Sequence, residues 1–444
     1  MNYKIPRLLI SAPKSGSGKT IFTAALAKAL IDRGISLSMF KCGPDYVDPM
    51  LHKEITGKSG SNLDLFFNDE ELLKRRFFEK ASQSELALIE GAMGFYDGMG
   101  GITEINSAFH ISEVLSCPAV LIVDAEGSSF SLCALISGFL NFRKNNIKGI
   151  ILNKCSKSLF SILKPVIEKE CGTLVLGFIP KDEKLRIRNV KLGLLLDDKE
   201  NLREVLARLS YLISENVDLD KLLEIAKDAP DVTLSDDSRS RENLDLNVSI
   251  ARDEAFSFIY EDNIEFLKEN GCNTAFFSPL KDNRLPYNTD VCIFPGGYIE
   301  NNAEKLSKNG PMLSAVRSFY EKGGFIIAEG SGFIYLNKGL KDDTGKLIPL
   351  CGILSGNCKK EEKLTNFGYI NLFDESENPI LKAHEFHYSS SSDDGDSFIA
   401  KRFRSKRSRK TIFRTSQLFC GFPQFDYKAN EAFFTELLKN IKKK

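Results

Sequence analysis

Residues 13–20 read PKSGSGKT, directly after the apolar run RLLISA (7–12) and at the head of the helical pattern TIFTAALAKALIDRG, which runs from Thr20 to Gly34. Strand, small-residue loop and helix start make a cradle for phosphate. Glycines let backbone N–H groups converge on phosphate oxygens without Cβ clashes, and the helix N-terminus adds partial positive charge. The strict GxxxxGK[ST] pattern is not met, because Pro13 stands at its first glycine. The variant Lys-x-Gly-x-Gly-Lys-Thr is met by Lys14, Gly16, Gly18, Lys19 and Thr20. Lys19 is expected to reach the β- and γ-phosphates, and the Thr20 hydroxyl to hold Mg²⁺. Lys14 is expected near the phosphates, where it would neutralise charge developing in transfer.

Carboxylates follow two more apolar runs. FKCGPDYVDP (40–49) carries Asp45 and Asp48 around Tyr46, and IEGAMGFYDG (89–98) carries Glu90 and Asp97. In a wound parallel sheet the strand C-terminal ends gather in one crevice, beside the phosphate loop. Four carboxylates converging there suit Mg²⁺ coordination and acceptor positioning. The competing reading is turn chemistry, since Asp beside Pro or Gly commonly serves turns. Asn153, after GIIL, lies where an amide reading a base would sit, or else simply opens a turn.

The elements that must position these groups are legible. Apolar runs at 7–12, 35–41, 86–92, 119–125, 149–154 and 174–180 alternate with helical stretches. Runs buried on both faces and spaced by helices predict a parallel sheet of βαβ units. A helical pattern over about 198–227 closes this half. The polar stretch 230–246 reads as a linker between a domain at 1–229 and a second at 247–444. The second half is α/β again, with strands VSIARD (248–253), TAFFSPL (274–280) and VCIFPGG (291–297) and a helix near 311–322. SSSSDDGDS (389–397) reads as a turn or loop. The basic run 400–414 reads as a solvated strand or hairpin edge.

At 444 residues the chain is long enough for two cores, and 42% apolar content suits a globular protein. Lys+Arg and Asp+Glu are both 60, so charge gives no reason to expect a nucleic-acid partner. No segment approaches the roughly 18 apolar residues of a membrane helix, and a cytoplasmic location is expected. Ten scattered cysteines without a CxxC pair, and only four histidines, argue for reduced, buried thiols rather than a zinc site.

Taken together, PKSGSGKT, FKCGPDYVDPMLH, NLDLF, LALIEGAMGFYDG, LVLGFIP, ARDEAFSFIYEDN, FFSPL, FPGGYIE and HEFHYS closely resemble the cobyrinic acid a,c-diamide synthase family, in order, from about 5 to 440. The resemblance implies a P-loop NTPase-like synthetase domain followed by a class I glutamine amidotransferase-like, flavodoxin-like α/β domain. It implies ATP and Mg²⁺, a corrinoid tetrapyrrole whose a and c acetates become amides through acyl phosphates, and ammonia as the attacking nitrogen. It places Asp45, Tyr46 and Asp48 toward the tetrapyrrole, Thr20, Glu90 and Asp45 at the metal, and Asp97 near the reacting acceptor. Amidation of another tetrapyrrole such as nickel-sirohydrochlorin, or nucleotide-dependent tetrapyrrole binding without amidation, are the alternatives. The oligomeric state is left open, a homodimer being one candidate.

One segment departs from the family. Residues 328–336 would read close to AECGGLMYL, with a cysteine on a strand-to-helix elbow; here they read AEGSGFIYL, and Gly330 occupies the nucleophile's place. Glutamine hydrolysis needs a thiolate and a histidine to activate it. His387 in HEFHYS stands at the expected histidine position, but glycine has no nucleophile. Ser331 is one residue late, and an elbow exposes one side chain at its apex. The family's paired histidines near the C-terminus are replaced by Gln424 and Asp426, and an RHLGL-like segment reads NVKLGL at 189–194. The reading is an intact ATP half and a disabled glutaminase half, fed by free ammonia or by a separate glutaminase.

Overall fold

The computed structural model describes residues 2–182, 185, 199–234, 241–403, 405 and 407–442. Residues 189–194 lie outside the described residues, as do 235–240 of the polar stretch and 404 and 406 of the basic run. The chain divides into two units, Met1–Asp237 and Ser238–Lys444.

The first unit is built on strands β1 (Arg7–Ser11), β2 (Leu37–Cys42), β3 (Ser61–Leu63), β4 (Leu86–Glu90), β5 (Ala119–Asp124), β6 (Ile147–Asn153) and β7 (Leu174–Ile179). They pair in the order β3-β2-β4-β1-β5-β6-β7, every pairing parallel. Strand alternation feeds two cores. Leu8 and Ile10 of β1 pack with helices α1 (Lys19–Asp32) and α2 (Val47–Thr56), whereas Leu9 between them packs on the opposite face with α3 (Glu70–Ala81), α4 (Ala108–Val114), α5 (Ser131–Asn141) and α6 (Lys157–Cys171). Helices α7 (Lys199–Asn216) and α8 (Leu219–Lys227) complete the first of these layers. The edge strand β3 has no counterpart among the apolar runs, because three residues are too few to show a period.

The polar stretch 230–246 is not a free linker along its whole length. Val232 and Thr233 pair antiparallel with Tyr3 and Asn2, and Leu244 and Leu246 are buried in the second unit's core. Arg7 explains the first anchor. Its guanidinium is fully buried and donates to the carbonyls of Leu115, Ile5, Ser116 and Pro230.

In the second unit, strands β8 (Asn247–Ala251), β9 (Asn273–Phe277), β10 (Val291–Phe294) and β11 (Phe325–Glu329) form a sheet with two later strands, β16 (Phe413–Arg414) and β17 (Leu418–Gly421). The order is β9-β8-β10-β11-β17-β16, parallel except for β16. Helices α9 (Glu261–Glu269), α10 (Ile299–Lys308), α11 (Gly310–Glu321), the short α12 (Gly332–Leu336) and the terminal α13 (Glu431–Lys442) accompany it. A separate antiparallel sheet joins β13 (Pro379–His387), β12 (Asn366–Phe373), β14 (Phe398–Arg402) and β15 (Ser408–Thr411) in that order. The basic run therefore supplies the end of β14 and the edge strand β15. The serine-rich stretch is not all loop, because Ser389–Ser391 pairs antiparallel with Cys358–Lys360.

Among the described residues no helix is long and apolar enough to cross a membrane. All ten cysteines are free, and all but Cys171 are buried.

Replacing Arg7 by Met leaves four carbonyls without their donor inside the first unit. Arg7→Met is expected to lower stability by at least about 3 kcal/mol, since bonds from a charged donor carry about 1.5–3 kcal/mol each. A denaturation midpoint equal to that of the unsubstituted chain would remove Arg7 from this role.

Candidate functional site: a phosphate loop with buried acids, and a cysteine-free elbow

The loop between β1 and α1 takes the shape its glycines permit. Gly16 and Gly18 have φ of +74° and +82°, values that side chains rarely adopt. The Lys14 carbonyl accepts from the Ser17 hydroxyl at 2.9 Å and from Lys19 Nζ at 3.1 Å, while the Lys14 side chain is exposed. Lys19 is thus folded back along its own loop. Burial, reinforced by the nearby Lys41 ammonium, pushes its pKa down to about 8.

The acids gather where the strands end. In the parallel pairing of β2 with β4, Lys41 lies directly opposite Glu90. Lys41 Nζ sits 2.7 Å from Glu90 Oε1 and 2.5 Å from Asp48 Oδ2. Thr20 Oγ1 donates to Glu90 Oε1 at 2.6 Å and lies 3.5 Å from Asp48 Oδ2. His52 Nε2, from α2, meets Glu90 Oε2 at 2.8 Å. Lys41, Asp48, His52 and Glu90 are all buried.

Charge is distributed unevenly within this cluster. Burial alone would raise the Glu90 pKa, but Lys41 and His52 outweigh it and hold Glu90 well below the usual carboxylate range. Asp48 is pushed up by burial and by the Glu90 charge, with Lys41 opposing. Burial would lower the Lys41 pKa, yet Glu90 and Asp48 together raise it, so Lys41 is a cation here.

The oxygens fit Mg²⁺. Asp48 Oδ1 is buried without a hydrogen-bond partner beside a hydroxyl and a second carboxylate, all hard donors. Among the described residues no group of three or more His, Cys, Asp or Glu is placed to hold a metal alone. That suits an ion which takes one or two carboxylates and fills its remaining positions with water and phosphate.

The other sequence-selected residues are placed as follows. Asp45, assigned to the metal from sequence, is half-buried, and its Oδ1 accepts from the backbone N–H of Val47 at 2.8 Å and of Asp48 at 3.4 Å. It shapes the turn that starts α2, while Asp48, assigned to the acceptor, joins Thr20 and Glu90. Tyr46, between them, is half-buried. Asp97 is exposed and accepts from Gly94 N–H at 2.9 Å. Asn153 donates to the Ser17 carbonyl at 3.2 Å and accepts from Lys154 N–H at 3.0 Å. It anchors the phosphate loop from β6.

In the second unit β11 runs into Gly330, with φ +56°, and then into α12. A Cβ built on Gly330 would lie 2.9 Å from Gln424 Nε2, 3.0 Å from its Cδ and 3.2 Å from its Cγ. The same Nε2 would be 2.8 Å from a Cβ on Gly296. The Gln424 carboxamide therefore lies between the elbow and the Phe294-Pro295-Gly296-Gly297 turn. Ser331 is locked: its Oγ accepts from Gly297 N–H at 2.8 Å and donates to the Gly297 carbonyl at 2.9 Å. His387 is buried and stacks on Phe422, ring centroids 4.0 Å apart, with Nδ1 2.7 Å from the Ser389 carbonyl. The side chain nearest the apex is thus Gln424, and His387 is tied to Ser389 and Phe422. Burial pushes both His387 and His384 down, His384 to about 3.

Residues 8–191 match the family model described as the CobQ/CobB/MinD/ParA nucleotide binding domain, and residues 247–416 match the CobB/CobQ-like glutamine amidotransferase domain. Relatives named cobyrinate a,c-diamide synthase cover both. That of Clostridium tetani is 38% identical over 424 residues, 94% of this chain and 93% of the relative. That of Fusobacterium nucleatum is 36% identical, covering 97% and 99%, and that of Picrophilus torridus 33%, covering 96% and 97%. The chain belongs to the cobyrinate a,c-diamide synthase family.

Three residues of these clusters are not singled out by the sequence pattern. Lys41 sits inside an apolar strand, where a lone lysine reads as a strand end, and only the β2–β4 register shows its partner. His52 lies in the quoted FKCGPDYVDPMLH, four residues after Asp48, which is one turn along α2. Gln424 was visible as a departure from a histidine pattern, but its place against Gly330 was not.

Glu329, at the end of β11, is buried and accepts from the Tyr427 hydroxyl at 2.6 Å and from Phe425 N–H at 3.1 Å. Burial outweighs these bonds and pushes its pKa from 4.5 up to about 7. The folded chain keeps this proton where the unfolded chain has released it. The stability owed to the protonated form is therefore full below pH 4.5, falls as pH rises to about 7 and is flat above. Across that window Glu329 is expected to remove up to about 3 kcal/mol, and Glu329→Gln to abolish this part of the slope. Identical pH slopes for variant and unsubstituted chain would sink the assignment.

Proposed function

We propose that this chain amidates the a and c acetate carboxylates of cobyrinate in cobalamin biosynthesis, using ATP, and draws its nitrogen from ammonia rather than from glutamine bound in its own second unit. The reading of the first unit is carried by one observation: Thr20, Glu90 and Asp48 meet at the carboxyl ends of the strands beside a glycine loop of phosphate-binding shape.

In this reading the loop N–H groups and the start of α1 hold the triphosphate, and Lys19 swings from the Lys14 carbonyl to the β- and γ-phosphates. Thr20, Glu90 and Asp48 would hold Mg²⁺, which when bound neutralises phosphate charge as the γ-phosphoryl leaves. An acetate oxygen of the corrinoid attacks the γ-phosphorus, and ADP departs with the bridging oxygen. Ammonia then attacks the acyl carbon, phosphate leaves, and the nitrogen sheds a proton to give the amide. Tyr46 and Asp97 are assigned to the acceptor side.

The nitrogen source rests on the second unit. Gly330 offers no nucleophile, Ser331 spends both its hydrogen-bonding directions on Gly297, and Gln424 fills the space between elbow and turn where a substrate side chain would lie. A thiolate at position 330 would moreover need Gln424 to move.

Two measurements test this. Cobyrinate, MgATP and ammonium with the purified chain are expected to yield products lighter by about one mass unit per amide, whereas glutamine in place of ammonium yields none and releases no glutamate. Glutamine-dependent product formation would overturn the nitrogen assignment. Gly330→Cys alone is expected to remain without glutaminase activity and to lose about 1–3 kcal/mol of stability, from positive φ and contact with Gln424. Glutamate release by that single variant would show that Gln424 does not fill the site.

A further inference from the structure

Lys41 is not part of the phosphate loop, yet its ammonium lies at the centre of the acid cluster. The β2–β4 register sets it opposite Glu90, so its position follows from the sheet and not from a flexible loop. It bridges Glu90 Oε1 and Asp48 Oδ2 at 2.7 and 2.5 Å, and Thr20 Oγ1 bonds to that same Glu90 oxygen at 2.6 Å. The second Glu90 oxygen is held by His52, and Asp48 Oδ1 has no partner. A divalent cation bound to Thr20, Glu90 and Asp48 must share or take oxygens that Lys41 already holds.

The charges then decide the order of loading. Lys41 already neutralises one of the two acids that it bridges, and Lys19 stands close by as a second cation. Adding a divalent ion alone would put like charges together in a buried place, where repulsion is poorly screened. A triphosphate brings the negative charge that offsets both lysines and the ion. Before it arrives, Lys41 holds the acids together as a single ammonium can.

We propose that Lys41 is a positioning residue that keeps Glu90 and Asp48 adjacent and competes with the divalent cation for them, so that the cation enters with the nucleotide and not ahead of it. This rests on the nucleotide-and-cation reading of the first unit and is independent of the acceptor and the nitrogen source.

The test uses the full chain and Mn²⁺, with free ion followed by electron paramagnetic resonance, with and without a non-hydrolysable ATP analogue. The unsubstituted chain is expected to take up Mn²⁺ only with the analogue. Lys41→Met, which keeps the length and removes the charge, is expected to bind Mn²⁺ without nucleotide at least about tenfold more tightly than the unsubstituted chain, and Lys41→Arg to restore nucleotide dependence. If Lys41→Met does not fold, Lys41→Gln supplies a neutral donor to the same oxygens and carries the same expectation. Neutral variants that bind the bare ion no better than the unsubstituted chain, or an unsubstituted chain that binds it equally with and without the analogue, would overturn the role of Lys41. An unsubstituted chain that takes up no Mn²⁺ even with the analogue would overturn the site reading itself, and the role of Lys41 with it.

Discussion

Glu90 accepts from Lys41, Thr20 and His52 at once, and the buried acid cluster of the first unit depends on that convergence. A fully buried carboxylate is costly to ionise, and only close opposite charge and direct donors make it tolerable. Each donor comes from a different element: Lys41 from β2, Thr20 from α1, His52 from α2. The carboxylate can therefore stay charged only when β4, β2 and both helices are assembled in register. Folding and the readiness of the site are in this sense one event, since the same contacts that neutralise Glu90 bring the Thr20 hydroxyl and Asp48 to it.

The second unit shows a similar strand-turn-helix corner in which most polar groups next to the turn are bonded to one another, although His387 Nε2 is buried without a hydrogen-bond partner. Ser331 closes a two-way exchange with Gly297, Glu329 is capped by Tyr427 and Phe425, and His387 is stacked on Phe422. A nucleophilic site needs an exposed group whose bonds strengthen in the transition state. Here the bonds are made in the ground state, which stabilises the fold and leaves the apex of the elbow to a glycine.

What was legible in the sequence follows from what local pattern can carry. Strand and helix positions in the first unit were readable, because buried parallel strands are apolar runs and α1 ends at a glycine. The phosphate loop was readable because glycines, lysines and threonine fall within eight consecutive positions. Glu90 was readable as an acid ending an apolar strand. Lys41 was not, since its meaning depends on which strand lies beside β2, and strand order is set by long-range packing. Local structure separates Asp45, expected at the metal and the acceptor, from Asp48, expected at the acceptor: Asp45 sits two residues before Val47 and accepts from its N–H in the turn, whereas Asp48 lies inside α2. Gln424 was legible as a substitution only, and its consequence needed the isolated pairing of residue 424 with His384, which fixes its backbone beside the elbow.

Gly330 and Gln424 are best understood together. Without the Gln424 side chain the corner between Gly330 and Gly296 would hold a hollow, and a hollow in a buried place costs free energy unless water or a side chain fills it. From position 424, three residues past the end of β17, a glutamine side chain reaches the Gly296-Gly297 turn and is polar enough to suit it. Its atoms stand 2.8–3.2 Å from where side chains at 296 and 330 would begin, closer than van der Waals contact, so the present position of the Gln424 side chain goes with glycine at both. A side chain at 330 would displace the Gln424 side chain, and a smaller residue at 424 would open the hollow. The two positions are coupled through one shared volume, which the Gln424 side chain occupies.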